Sequence, residues 1–158
     1  MRDRYEPASE FLKAVAKGNA PLSGGEMADA NLCRVIEMTR DADRSNRDWA
    51  TFLLAQQDAD TTVVREALLQ AAADDDDFVR AEAVYGLARR DPSVALPFVQ
   101  EALRADCVAV PIFEAAELCA DPSLVEDLRK FAEPSDSPYL DGLAADALAT
   151  CESGKPPY

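Results

Sequence analysis

The chain has 158 residues, 48% of them apolar and 7% aromatic, with 16 Lys and Arg against 30 Asp and Glu and no histidine. That length and apolar content give one domain with a real core and exclude a disordered chain. A formal charge of −14 repels phosphate backbones, which argues against DNA or RNA as a ligand, admits a basic protein partner, and favours a soluble monomer.

Met1-Arg2-Asp3-Arg4-Tyr5-Glu6-Pro7 opens the sequence with charge and no apolar core behind it, unlike a signal peptide. No apolar run approaches the length of a membrane span, so no membrane role is expected. Ser9 to Lys17 predicts a short helix, and Pro21-Leu22-Ser23-Gly24-Gly25 a turn. Glu26 to Arg40 predicts a stronger helix, with Leu32, Val35, Ile36 and Thr39 at helical spacing. Residues 1–42 are expected to form a helical cap on the rest of the chain.

From residue 43 the sequence echoes itself. Arg47-Asp48-Trp49-Ala50-Thr51-Phe52-Leu53-Leu54-Ala55, shifted by 33 residues, falls on Arg80-Ala81-Glu82-Ala83-Val84-Tyr85-Gly86-Leu87-Ala88, and each copy runs on to an aspartate, Asp58 or Asp91. Asp91-Pro92-Ser93 recurs 30 residues later as Asp121-Pro122-Ser123. The pattern predicts helix pairs: 45–57 with 60–72, 78–89 with 92–104, and 107–119 with 122–132. Val64, Ala67, Leu68 and Ala71 fall on one face, as do Val79, Ala83, Gly86 and Leu87. Pro92 suits a first helical turn, Pro111 falls near a helix start, and Pro97 should kink or restart its helix. A closing helix over 137–151 carries the stripe Leu140, Leu143, Ala144, Ala147 and Leu148, and residues 152–158 are a frayed tail.

Little in this sequence carries chemistry. Cys33, Cys107, Cys119 and Cys151 lack Cys-x-x-Cys spacing and sit in apolar helical contexts; with no histidine this argues against zinc and for reduced thiols in the cytoplasm. Ser-His and Cys-His catalysis is impossible, and no catalytic residue, cofactor site or metal site is expected. The run Asp74-Asp75-Asp76-Asp77 lacks the glycine and glutamate of a calcium loop; Asp76 or Asp77 is expected to cap the helix that begins at Phe78.

Asp77-Phe78-Val79-Arg80-x-Glu82-Ala83-x-x-Gly86-Leu87-Ala88-Arg89-x-Asp91, with the weaker copy Asn46-Arg47-x-Trp49-Ala50-x-x-Leu53-Leu54-Ala55, resembles HEAT-type repeats, particularly the short bacterial kind related to phycobilisome-lyase repeats. The resemblance covers about residues 43–132 and departs from the pattern at Val110-Pro111, where the third unit should have Val-Arg. It implies an all-α fold, a short right-handed α-α superhelix of about three helix pairs, with residues 133–151 closing the stack. It also implies a structural ladder of ion pairs, assigned to Asp43, Arg47, Asp77 and Arg80.

In such a solenoid the second helix of each pair lines the concave face. The outward residues there are Arg65, Glu66 and Gln70; Gln100, Glu101 and Arg104; and Glu126, Asp127, Arg129 and Lys130. The resulting expectation is a scaffold that binds an unknown basic protein through an acidic face, as an inhibitor or immunity-type protein does. The alternatives are an enzyme like the HEAT-type DNA glycosylases or lyases, and a structural or regulatory subunit.

Overall fold

The computed structural model describes residues 5–158, so the charged start Met1–Arg4 lies outside the described residues. Among these the secondary structure is helical, with no strand. The helices are α1 (Glu10–Ala16), α2 (Ala28–Met38), α3 (Arg44–Gln56), α4 (Thr62–Ala71), α5 (Asp77–Arg90), α6 (Pro92–Ala102), α7 (Val110–Cys119), α8 (Val125–Ala132) and α9 (Pro138–Ser153), with a 3₁₀ turn over Pro122–Leu124. The chain divides inside α5 into two compact units, Met1–Ala83 and Val84–Tyr158.

In the first unit α1 and α2 pack on α3, and α3 packs on α4. The α1 start is fastened by polar contacts: Ser9 N–H donates to Asn46 Oδ1 at 2.8 Å, Ala8 N–H to Ser45 Oγ at 3.1 Å, and Trp49 Nε1 to the Tyr5 carbonyl at 3.1 Å. Trp49 also meets Tyr5 and Phe52 edge-to-face, at ring-centre distances of 6.5 and 5.7 Å. Beneath them Leu12, Val35, Ala50 and Leu54 are fully buried. The four apolar positions of α4, Val64, Ala67, Leu68 and Ala71, are all buried, as their spacing requires.

In the second unit α6 packs on α7, and α9 packs on both α7 and α8. Leu124, Leu128, Ala144 and Cys151 are fully buried, and Phe113 meets Phe131 edge-to-face at 5.6 Å. Three expectations change here. The leading helix of the third pair begins at Val110 rather than 107, because Pro111 fits only a first turn and residues 107–109 stay extended or bent. The helix expected over 122–132 opens as a 3₁₀ turn. Pro97 does not restart the helix, since α6 runs through it. Its missing N–H would have met the Ser93 carbonyl, and both residues are exposed, so that carbonyl is not a buried acceptor.

The cysteines do not share one environment. Cys151 is buried and Cys119 half-buried, but Cys33 and Cys107 are exposed. Cys33 lies on the outer wall of α2, and Cys107 in the bend before α7 rather than in a helix.

Candidate functional site

The first feature that organises charge is a turn repeated at the 33-residue spacing. Asp43 N–H donates to Asp41 Oδ1 at 2.8 Å, and Asp76 N–H to Asp74 Oδ1 at 2.9 Å. The second aspartate of each turn then caps a helix: Asp43 Oδ1 accepts from Ser45 and Asn46 N–H, and Asp76 Oδ1 from Phe78 and Val79 N–H. Four residues on, the arginine folds back onto the turn. Arg47 Nη1 donates to the Asp41 carbonyl at 3.2 Å, and Arg80 Nη1 to the Asp74 carbonyl at 2.6 Å. The capping role expected for the acid run therefore falls to Asp76.

The ion pairs differ from those assigned to Asp43 and Arg47. Asp43 spends its carboxylate on its cap, and Arg47 reaches forward to the next turn instead. Arg47 Nε donates to Asp74 Oδ2 at 2.9 Å, with Asp75 at 3.6 Å from Nη2. Arg44 pairs with Asp76, and Arg80 with Asp77 one turn away. Arg47 and Asp74 are a well covered pair, with side chains 18% and 12% exposed. Burial pushes Asp74 up, but the Asp76 N–H and the Arg47 guanidinium outweigh it and hold the carboxyl below its ordinary value. Asp76 behaves alike: burial raises it, while Arg44 and its capped N–H groups bring it down further.

The third copy of this turn is gone. Thirty-three residues beyond Asp76 and Arg80 stand Ala109 and Phe113. Ala109 occupies the cap position of α7 without a side-chain bond, and Phe113 is buried. Neither residue can form the capped polar turn of the first two units.

Of the residues proposed from the second helices, Glu66, Gln70, Glu101, Arg104, Glu126, Arg129 and Lys130 are exposed, and Arg65, Gln100 and Asp127 half-buried. Arg65 is held by Asp60, at 2.6 Å from Nε and 2.8 Å from Nη2. Gln100 donates to Ser123 Oγ at 2.9 Å, and Arg129 pairs with Glu126 and Glu152. These ten positions hold four basic and four acidic residues, so they are not where the excess acid lies.

The carboxylates with fewest cations beside them are in the second unit. Neither α7 nor α9 contains a basic residue. α7 carries Glu114 and Glu117, and α9 carries Asp141, Asp146 and Glu152. From Ala105 onward eleven carboxylates face three basic residues. Glu114, Glu117, Asp136 and Asp146 have no ion pair among the described residues, and Glu114 is raised above its ordinary value, first by desolvation and then by Glu117.

A model of HEAT repeats matches residues 34–119, more than half of the chain. The chain belongs to the HEAT-repeat family. It is also similar to the X-ray structure of YibA from Escherichia coli, with a TM-score of 0.61 and 21% identity over 89% of the chain, a likeness of fold. It spans 54% of that protein's chain. No curated protein sequence matches it. The fold is thus a HEAT-like α-solenoid, a family that is typically a non-catalytic scaffold and generally mediates protein–protein interaction. Among the described residues no helix is long and apolar enough to cross a membrane.

Proposed function

We propose that this HEAT-repeat chain is a binding scaffold whose ligand is a basic protein, held through the carboxylates of its second unit. The observation that carries this reading is the pair α7 and α9, two packed helices with five carboxylates and no basic residue. Unneutralised surface charge of one sign costs self-repulsion, which an oppositely charged partner relieves while being steered to the site. The sharper form is an inhibitor or immunity-type protein that masks the basic surface of a toxin or nuclease. The outward residues of α6 and α8, three basic and three acidic, would then supply specificity rather than attraction.

Capture from native cell lysate on the immobilised chain tests this, with Glu114→Gln/Glu117→Gln/Asp146→Asn as the paired bait. A basic protein should be retained by the wild type, and its affinity should fall at least tenfold between about 0.05 and 0.2 M salt and on the triple variant. A partner held equally by both baits, or insensitive to salt, would remove the charge-driven reading. Stoichiometric loss of that partner's own activity in the complex separates an inhibitor from an adaptor.

A further inference from the structure

We infer that Cys119 and Cys151 form an intramolecular disulfide site joining the end of α7 to α9. The two residues come from helices packed on each other. Cys151 Sγ lies 3.4 Å from the carbonyl of Ala116, the oxygen that also receives the Ala120 N–H at 3.0 Å. Cys119 stands in that same turn of α7, three residues beyond Ala116, where helix neighbours lie about 5–6 Å apart. Ala120 then enters the left-handed region, with φ of 47°, the one non-glycine residue to do so among those described. This sharp reversal turns the Asp121 N–H onto Cys151, so both thiols border a single turn of backbone, and each senses the Asp121 charge.

The two sulfurs also differ in access. Cys119 is half-buried, with its Sγ 3.5 Å from the Pro92 carbonyl, whereas Cys151 is fully buried. That order fits exchange with a small disulfide such as oxidised glutathione. The Cys119 thiolate attacks one glutathione sulfur, forming a mixed disulfide and releasing the other glutathione as thiolate. The Cys151 thiolate then attacks the Cys119 sulfur, closing the protein disulfide and releasing the second glutathione. Two thiols lose two electrons and two protons; one small disulfide takes up both and becomes two thiols. Burial pushes both cysteines up, Cys119 to about 12 and Cys151 to about 11, so closure is slow at neutral pH and the reduced form persists in ordinary reducing conditions.

The test uses the whole chain carrying Cys33→Ser and Cys107→Ser, both exposed positions, treated with oxidised glutathione at mildly alkaline pH. Trypsin cuts between the pair at Arg129 and Lys130, so a closed bridge links the peptide 105–129 to the peptide that begins at Phe131. The linked pair should dominate in folded protein, vanish on reduction, and raise the melting temperature by several degrees. Cys151→Ala, which keeps a small apolar side chain there, should leave a glutathione adduct on Cys119 alone. If the folded protein yields only adducts, or the linked peptides appear only when it is unfolded in urea, the assignment is wrong.

Discussion

Residues 1–83 hold seventeen Asp and Glu against ten Lys and Arg, and residues 84–158 hold thirteen against six, so each unit carries the same net charge of −7. In the first unit the acid is put to structural use. Asp41, Asp43, Asp74 and Asp76 form turns and caps, and Arg44, Arg47 and Arg80 close on them. In the second unit the matching cap is Ala109, the matching arginine is Phe113, and the carboxylates of α7 and α9 have few cations within reach. Equal net charge thus hides two arrangements of it: part of the acid of the first unit is closed on by arginines, while the carboxylates of α7 and α9 share their helices with no basic residue.

The contrast breaks most sharply at Arg47. Arg47→Ala leaves Asp74 partly buried without its arginine and frees the Asp41 carbonyl as well. The pair is covered more than a surface bridge and less than a core one, which places the loss at about 2 kcal/mol. Chemical denaturation followed by the fluorescence of Trp49, the single tryptophan and a residue of the first unit, reads it directly. Arg80→Ala should cost less than half as much, because its ion partner Asp77 is itself exposed. Equal losses for the two would mean that the forward bond to Asp74 adds nothing.

The reverse experiment restores to the second unit what the first has. Ala109 already has the extended backbone of a cap residue, with φ of −76° and ψ of 149°. Ala109→Asp should therefore stabilise by about 1 kcal/mol, the usual value of a side-chain cap. An unchanged or lower melting temperature would show that the aromatic packing around Phe113 has no room for a polar turn.

These two positions also show how far the sequence could be read. The helix pairs were legible because Arg, aromatic and Leu-Ala positions recur at a fixed spacing, and because the apolar stripes of α4 and α5 have helical period. The forward partner of Arg47 was not, since it lies 27 residues away and only the folded helix pair brings it near. One signal pointed to it: Asp41-Ala42-Asp43 and Asp74-Asp75-Asp76 are themselves 33 residues apart, a register one residue different from pairing Asp43 with Asp77. The excess of acid from Ala105 onward, eleven carboxylates against three basic residues, was legible, but which of them lack a partner was not. A net charge belongs to the whole chain, and only the ion pairs of the folded state show which carboxylates remain uncompensated.

The finest separation of the two units is by pH. Asp74 and Asp76 lie below the ordinary carboxylate value when folded, so their contribution is complete above about pH 5 and is lost as pH falls below about 4. Glu114 lies above its ordinary value, so folding favours its protonated form. Its contribution has the opposite sign: stability is gained as pH falls from 7 toward 5 and lost again as pH rises. Amide hydrogen exchange should accordingly show α7 more protected at pH 5 than at pH 7, while Trp49 reports loosening of the first unit only under stronger acid. Glu114→Gln removes the ionisable group without changing the shape. It should raise stability at pH 7 by about 0.3 kcal/mol, a small gain because the side chain is in contact with water. The same substitution should abolish most of the gain in α7 protection between pH 7 and 5. A variant that loses stability at pH 7, or keeps the full pH response, would mean that Glu114 is compensated after all, and would move the available charge of the second unit onto α9.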